Sequence, residues 1–579
     1  MGQGAALTAY LLTRRSALAA AVLAPWVLTS CKSQRAIEGG FAGVSADRGH
    51  LLREPRKTQA HPVTPSITRT VHTVIAGGGV AGLSAARALR LQGVDDFALL
   101  ELEDTAGGNA RAGAIAGIAH PLGAHYLPVP GDGVPEVQDY LEELGLRQRV
   151  AGRWQYDERH LCHSPQERLY FNGAWQDGLL PLAGVGARTL AQYAKFSGLV
   201  EQWRRTGGFQ MPVRHTEKAR QCQAQLAYPF AQYLAEQQLT DTHLLWYLDY
   251  CCRDDYGAGI ASVSAWAGIH YFAARHGFGA PGAAESSGAE NERGKETGVL
   301  TWPEGNAHFT QALTYPLGQR LHTARVVLRI AESTSGVAVD AFNIATQTTE
   351  RWLAQRCIVA LPIFVAQRVL ESAPDFVHHA ANHTQYASWL VANVHINAAL
   401  QDTGPDTTGA PTAWDNVIYQ PVATASGAPN KTAGGLGYVD AMHQSTRTAP
   451  GPTVLTYYSA LGTTLEARRT LMTHTWAKHK DAALADLAVA HPDIYQRTTH
   501  VNITRYGHAM AVPTPDFIRE VALPWAKSAT AAAPSGTSTK VAYAPRPVPR
   551  TQRLRFAHSD WSGYSVFEEA FTRGLHATL

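Results

Sequence analysis

The chain has 579 residues, 45% of them apolar, and its 50 basic and 47 acidic side chains give a formal net charge of +3. That apolar share excludes bulk disorder, and the near-neutral balance leaves no basic field for nucleic acid. The body of the chain holds no apolar run of about 18 residues, which excludes a polytopic membrane protein, and six cysteines are too few for a disulfide scaffold.

The first 31 residues read as an address and are set aside from the fold. Met1–Thr13 holds no acid, and Thr13-Arg14-Arg15-Ser16 precedes the mostly apolar run Ala17–Leu28. At about twelve residues this run is too short to span a bilayer. Paired arginines ahead of such a core resemble a bacterial twin-arginine export signal. Leu28-Thr29-Ser30-Cys31 looks like a lipobox. The resemblance implies passage through the twin-arginine export machinery to the periplasmic side. It also implies attachment to the membrane surface through a lipid on Cys31; an ordinary cleaved signal is the alternative. Residues 32–70, rich in Gly, Ser, Arg and Pro, read as a tether. Of the remaining cysteines, Cys251 and Cys252 are adjacent, which is no zinc spacing, so buried thiols and no metal site are expected.

Val71–Ile75 is a short β-branched run, expected as a buried strand. Gly77-x-Gly79-x-x-Gly82 follows at once, then a helix over Leu83–Gln92 and a second strand over Phe97–Leu102. Gly77 permits a tight turn, Gly79 lets a pyrophosphate approach the backbone, and Gly82 lets helix and strand pack closely. The helix N-terminus offers free N–H groups to that anion. Glu101, 19 residues beyond Gly82 (101 − 82), has the spacing of an acid on the adenosine ribose. The unit binds a dinucleotide, and by itself does not choose between FAD and NAD.

Three later segments bear on that choice. Glu101–Asn109 reads ELEDTAGGN, Gly117–Leu127 reads GIAHPLGAHYL, and Arg553–Gly574 reads RLRFAHSDWSGYSVFEEAFTRG. In this order they resemble the flavin-containing amine oxidase superfamily. The resemblance implies that Gly107 and Gly108 lie at the cofactor, that Gly123, Ala124 and His125 lie near the flavin ring, and that Asp560 meets the ribityl chain. Weaker matches are Trp302–Asn306, Val327 near the adenine, and Arg356–Pro362. Nucleotide-binding pieces at both ends of a long chain favour FAD over NAD.

The implied fold is α/β, with a Rossmann-like FAD-binding domain (71–133, 296–370 and 540–579) interleaved with an α+β substrate domain (134–295 and 371–539). Helices are expected at Val137–Leu146, Ala191–Arg205, Glu217–Gln238, Leu244–Asp249 and Ala467–Ala490, and strands at Trp389–Ala398 and Thr453–Tyr458. Polar inserts at 277–297, 402–412, 421–435 and 526–549 read as surface loops.

Departures from the family pattern touch the chemistry. The strand that usually carries an active-site lysine is Leu390–Ala398, where Asn393 takes that place; no lysine occurs between Arg356 and Lys431, so a slip of two residues changes nothing. Arg505–Asp516 resembles the stretch with a flavin-linked cysteine and a cage tyrosine, but here holds His508 and Ala509. His508 is read as a polar active-site group, with a histidyl–flavin bond or a structural role as alternatives. The family's arginine after Gly107-Gly108 is Asn109, with Arg111 as its substitute at the phosphates or flavin edge, or else a solvated surface arginine.

In DYCCRDDY (Asp249–Tyr256), Asp254 or Asp255 suits a cationic substrate and Arg253 an anionic one; a salt-bridge knot at a helix end is the alternative. Trp414–Tyr419, Tyr438, His443 and Tyr457-Tyr458 are candidate flavin-side aromatics. The expected activity is hydride transfer from a substrate C–H, alpha to an amine, to flavin N5, with reoxidation by oxygen or another acceptor. His125 or His508 is the expected proton acceptor. The rival readings are a desaturase, cyclase or isomerase on an apolar substrate, and a non-catalytic flavin-binding surface subunit.

Overall fold

The computed structural model describes residues 36–53, 64–131, 133–213, 216–275, 277–281, 298–402, 413–421, 434–443, 445, 450–524 and 549–579. Arg14, Arg15, Cys31 and most of the polar inserts lie outside the described residues.

The β-branched run at residue 71 belongs to the strand Ile67–Ala76, whose last four residues are buried. It lies between two parallel neighbours, Phe97–Leu100 and Thr348–Val359. Parallel neighbours need a crossover, which the helix Val80–Leu91 supplies. The order across this seven-stranded sheet is Leu321–His322, Phe97–Leu100, Ile67–Ala76, Thr348–Val359, Val337–Asn343 and Arg325–Glu332; Leu554–Phe556 pairs with the far end of Thr348–Val359. Strands far apart in sequence thus close one sheet.

A second sheet has eight strands, in the order Glu38–Phe41, Thr498–Val512, Gln385–Ile396, Thr453–Ala460, Gly435–Asp440, Asp415–Ile418, Glu167–Phe171 and Ala174–Asp177. Its central strands Gln385–Ile396 and Thr453–Ala460 are buried almost throughout, which explains their near-continuous apolar sequence. Helices Ala187–Arg205, Phe230–Glu236, Thr242–Tyr256 and Ala265–Ala273 share a core in which Phe196 packs on Phe230, Phe272 and Phe278. The chain is therefore a mixed α/β protein.

Some elements differ from expectation. The tether folds in part: Glu38–Phe41 adds in parallel to the edge of the second sheet, opposite His500–Ile503. The short helix Ala46–His50 then docks on the loop after Phe97–Leu100, where Ser45 N–H donates to Glu103 Oε1 (2.9 Å) and Arg48 to the Leu102 carbonyl (3.0 Å). The helix expected over 217–238 is two, Glu217–Gln225 and Phe230–Glu236, because Pro229 precedes the second and bars continuation. The one expected over 467–490 is also two, since Thr475 caps Trp476–Leu487 by accepting from Lys478 N–H. All five described cysteines are free, and all but Cys162 are buried.

Candidate active site

Two cavities adjoin where the sheets meet, one of about 800 Å³ and one of about 150 Å³. Both are lined by Asn109, Ala124, Asn306, Tyr506 and Ala509, and by Ser565–Phe567 at the start of the C-terminal helix Phe567–His576.

The large cavity runs over the glycine turn. Gly77 has φ +102°, and a Cβ there would lie 2.4 Å from the Ala360 carbonyl oxygen. A Cβ on Gly82 would lie 1.9 Å from the Gly77 carbonyl oxygen, so only glycine lets helix and strand approach this closely. Gly79 instead faces open space, its nearest neighbour being Gly108 Cα at 3.9 Å. Helix Val80–Leu91 starts there with no side-chain cap. Its first N–H groups therefore await an acceptor, the condition under which a helix end holds an anion. Gly107 and Gly108 complete the turn with φ +132° and +59°, and Gly107 N–H donates to Gly78 O (2.8 Å).

Glu101 is buried on the next strand and lines the same cavity. Its Oε2 accepts Gly78 N–H and its Oε1 accepts Glu103 N–H, both at 2.8 Å. Burial raises its pKa, against the opposing pull of those two amides and the Arg111 charge. Val327 lines the cavity where its strand shifts register. Asp560 also lines the cavity and is fully buried, its Oδ2 accepting Ile363 N–H (3.0 Å) and the Tyr386 hydroxyl (2.6 Å). Burial alone would raise its pKa, but the neighbouring His558, Tyr386 and the Ile363 amide lower it on balance. These walls fit FAD: uncapped amides can take the pyrophosphate, Glu101 retains lone pairs for a ribose hydroxyl, and eight residues of wall pass directly into the smaller cavity.

Arg111 is neither a surface arginine nor part of this lining. It is buried behind the Gly107-Gly108 turn, with Nε donating to Gly108 O (3.0 Å) and a terminal nitrogen 3.7 Å from Glu103. Its role is to brace the turn, which corrects the expectation of direct cofactor contact.

Asn393 also requires correction. It is fully buried, its amide donating to Pro121 O and Thr456 Oγ1 (both 3.0 Å), and it lines neither cavity. Residues 389, 391 and 393 share a strand face, and it is Trp389 and Val391 that line the small cavity. On this face the small cavity is thus met by apolar side chains.

His125 lines the small cavity, stacked on Tyr458 with ring centroids 4.6 Å apart and flanked by Tyr126 and Trp414. Desolvation lowers its pKa to about 4, so its ring is neutral at ordinary pH. His508 lies elsewhere: it lines the large cavity, stacked on Phe364 (4.5 Å). Desolvation and the charges of Arg468, Arg53 and Arg368 lower its pKa to about 4 as well. The two histidines do not share the small cavity.

Gly123 and Ala124 line the small cavity, and three acids, Asp254, Asp255 and Glu568, enter its wall with one cation, Arg275. Asp255 lies 4.0 Å from Arg275. Burial first, and then the adjacent Asp255, raises Asp254 to about 7. Arg253 turns away to Asp249 (3.0 Å), so the end of helix Thr242–Tyr256 divides into a salt bridge on one side and cavity acids on the other. Of the candidate aromatics only Tyr458 lines the cavity; Tyr438 bonds His491, Tyr457 bonds Asp486 and His443 reaches His163 O.

Sequence reasoning missed Asn109, Asn306 and Arg275 as cavity residues. Asn109 donates to Ala509 O (2.9 Å) and Asn306 to Tyr126 O (2.8 Å), so each ties one wall of the junction to another. The Asn306 signal lay in Trp302–Asn306: Gly305, at φ +62°, would place a Cβ 2.9 Å from Ala124 O, bringing its neighbour against the flavin-side segment.

No curated protein matches the chain. Among solved structures it is similar to a putrescine oxidase with bound putrescine, with TM-score 0.61 and 16% identity over 88% of this chain and 98% of that one. A cyclohexylamine oxidase from Brevibacterium oxydans IH-35A has TM-score 0.54 and 16% identity, over 88% of this chain and 98% of that one. A CLA-producing fatty acid isomerase from P. acnes has TM-score 0.54 and 14% identity, over 87% of this chain and 97% of that one. At such identities the likeness is one of fold. The family model for flavin-containing amine oxidoreductases, however, matches residues 80–578, from the helix after the glycine turn to the last helix. The chain therefore belongs to the flavin-containing amine oxidoreductase family, and is an FAD-dependent oxidoreductase.

Proposed function

We propose that the protein oxidises a small amine at the C–H bond beside its nitrogen, binding it in the small cavity. When bound, FAD supplies hydride acceptance from carbon and is reoxidised by oxygen or another acceptor. The observation that carries this reading is a half-buried carboxylate, Asp254, set in a cavity of about 150 Å³ with aromatic walls that opens onto the large cavity. Arg275 lies 4.0 Å from Asp255 and its charge only partly offsets the rise at Asp254, the acid that holds the substrate ammonium. A carboxyl titrating at about 7 also accepts the ammonium proton near neutral pH, readying the nitrogen lone pair. His125, at about 4, is too weak a base for that task and instead orients the amine by stacking with Tyr458. Trp389, Val391 and Met510 exclude water.

On the cofactor side, Gly77, Gly79 and the first turn of Val80–Leu91 hold the pyrophosphate and Glu101 the ribose. Val327 takes the adenine and Asp560 the ribityl chain. Hydrogen peroxide release over an amine panel, with anaerobic bleaching of the flavin, tests the reading; a flavin that no amine bleaches overturns it. The apolar walls Trp389 and Val391, with no lysine in the cavity lining, favour one alternative, a desaturase, cyclase or isomerase on an apolar substrate. That reading requires turnover of an unsaturated lipid or polyene and no response to amines.

The twin-arginine pair and the lipobox support export of the folded, cofactor-loaded protein and its attachment through Cys31. Replacing Arg14 and Arg15 with lysine should hold the protein in the cytoplasm, and Cys31→Ala should release it from membranes. Fractionation reads both outcomes.

A further inference from the structure

We propose that His379, His383 and Glu520 form a site for one divalent transition-metal ion of the Zn²⁺ class, apart from both cavities. Among the described residues this is the one group of three or more His, Cys, Asp or Glu side chains whose ligand atoms lie within 4.8 Å of one another.

The geometry comes from two elements. His379 and His383 stand one turn apart on the helix Asp375–His383, hence on one face. Their ring centroids are 4.6 Å apart. Glu520 lies in the wide helical turn Ile518–Ala522, which follows Pro515–Phe517. His379 Nε2 is 3.0 Å from the Glu520 main-chain oxygen and 3.4 Å from its carboxylate. His383 Nδ1 meets Asp516 Oδ2 at 2.7 Å. A carboxylate on one ring nitrogen is the usual outer support of a metal-binding imidazole, since it fixes the ring and leaves the other nitrogen to coordinate.

The donors select the ion. Two imidazoles and a carboxylate suit Zn²⁺ or a neighbour in the first transition row, whereas Mg²⁺ and Ca²⁺ require oxygen ligands. Glu520 and Asp516 together match a divalent charge, and the ion sits at the C-terminal, electronegative end of the helix. His379 and Glu520 are about half exposed, at 48% and 41%, so the site is open to an ion from solvent. The ligands come from two segments of the second sheet's side. Helix Asp375–His383 runs into the strand Gln385–Ile396, and Glu520 follows that strand's neighbour Thr498–Val512. A bound ion therefore ties the entry of one strand to the continuation of the next.

The test is calorimetric titration of tag-free, FAD-loaded protein with Zn²⁺, repeated with Co²⁺ to read its visible absorption. One equivalent should bind saturably to the unaltered protein. H379A and H383A should each abolish that equivalent, and Asp516→Asn should weaken it about tenfold or more. E520Q, which keeps the side chain's shape, should weaken binding while leaving the flavin spectrum unchanged. Failure of Zn²⁺ to bind saturably, or equal binding by H379A, H383A and the unaltered protein, would overturn the proposal.

Discussion

Asp254 concentrates the chemistry at the scale of single residues. Burial, reinforced by Asp255, holds it neutral below about pH 7 and leaves it ionised above. For an amine that stays protonated across the window, kcat/KM should rise with pH through about 7, and Asp254→Asn should flatten that limb. The variant should also lose about tenfold to a hundredfold in kcat/KM, the worth of a charge-assisted contact, with the pH profile as the measurement. Asp560 offers a parallel case on the cofactor side. Asp560→Ala removes the acceptor shared by Ile363 N–H and the Tyr386 hydroxyl, so purified protein should carry less flavin per chain. Legibility differed among such residues for a physical reason. Glu101 has its place from the spacing of a local motif, and Asp560 from the resemblance of its segment to relatives. Arg275 reaches the cavity from the end of the helix Ala265–Ala273, through packing alone, and no neighbouring residue announces it. Asn393 and Val391 share a strand face, so alternation alone does not say which of them meets the cavity; only the folded chain shows that it is Val391.

Helix contacts put glycines to opposite uses at the next scale. Gly574, within Phe567–His576, would place a Cβ 2.0 Å from the Ala81 carbonyl oxygen, so it sets how closely the last helix lies on the dinucleotide helix. Ser84 adds a hydrogen bond across the same seam, to Phe571 O at 2.6 Å. Gly198, within Ala187–Arg205, has nothing within 4 Å of its Cβ position. Gly574→Ala should therefore destabilise by about 1–3 kcal/mol through overpacking and weaken FAD binding. Gly198→Ala should stabilise by up to about 1 kcal/mol through helix propensity alone. Denaturant melts of both variants, with flavin release for the first, check the pair. Elements whose period is set by burial were readable in the sequence, as Gln385–Ile396 and Thr453–Ala460 were. The helix breaks were masked by an apolar stripe that continues across them, although Pro229 itself bars continuation and Thr475 interrupts the second by its cap bond.

Viewed whole, the molecule builds its large cavity with pieces brought from both ends of the chain. The large cavity takes walls from residues 44–53, 77–110, 325–368, 505–509 and 558–570. Binding that joins so many segments should appear as stability: FAD at about 100 times its Kd should stabilise by about 2.7 kcal/mol. Thermal scans of apoprotein with and without FAD measure the shift, and limited proteolysis should be slower in the loaded form. The glycine fingerprint made half of this organisation legible, since its strand–turn–helix is local. Closure by Leu554–Phe556 against Thr348–Val359 is a pairing across about 200 residues, and only resemblance to relatives suggested it.

The edge strand Glu38–Phe41 changes how an anchored molecule would stand. A free tether from Cys31 to Thr70 reaches up to about 140 Å at full extension, but the seven steps from Cys31 to Glu38 reach only about 25 Å. That is less than the thickness of a bilayer's hydrocarbon layer. With Cys31 in lipid, the enzyme is moored rather than leashed: its second sheet's edge stays within a protein radius of the headgroups. The wall that residues 44–53 give the large cavity, only a few residues further along the chain, would then lie close to that surface too.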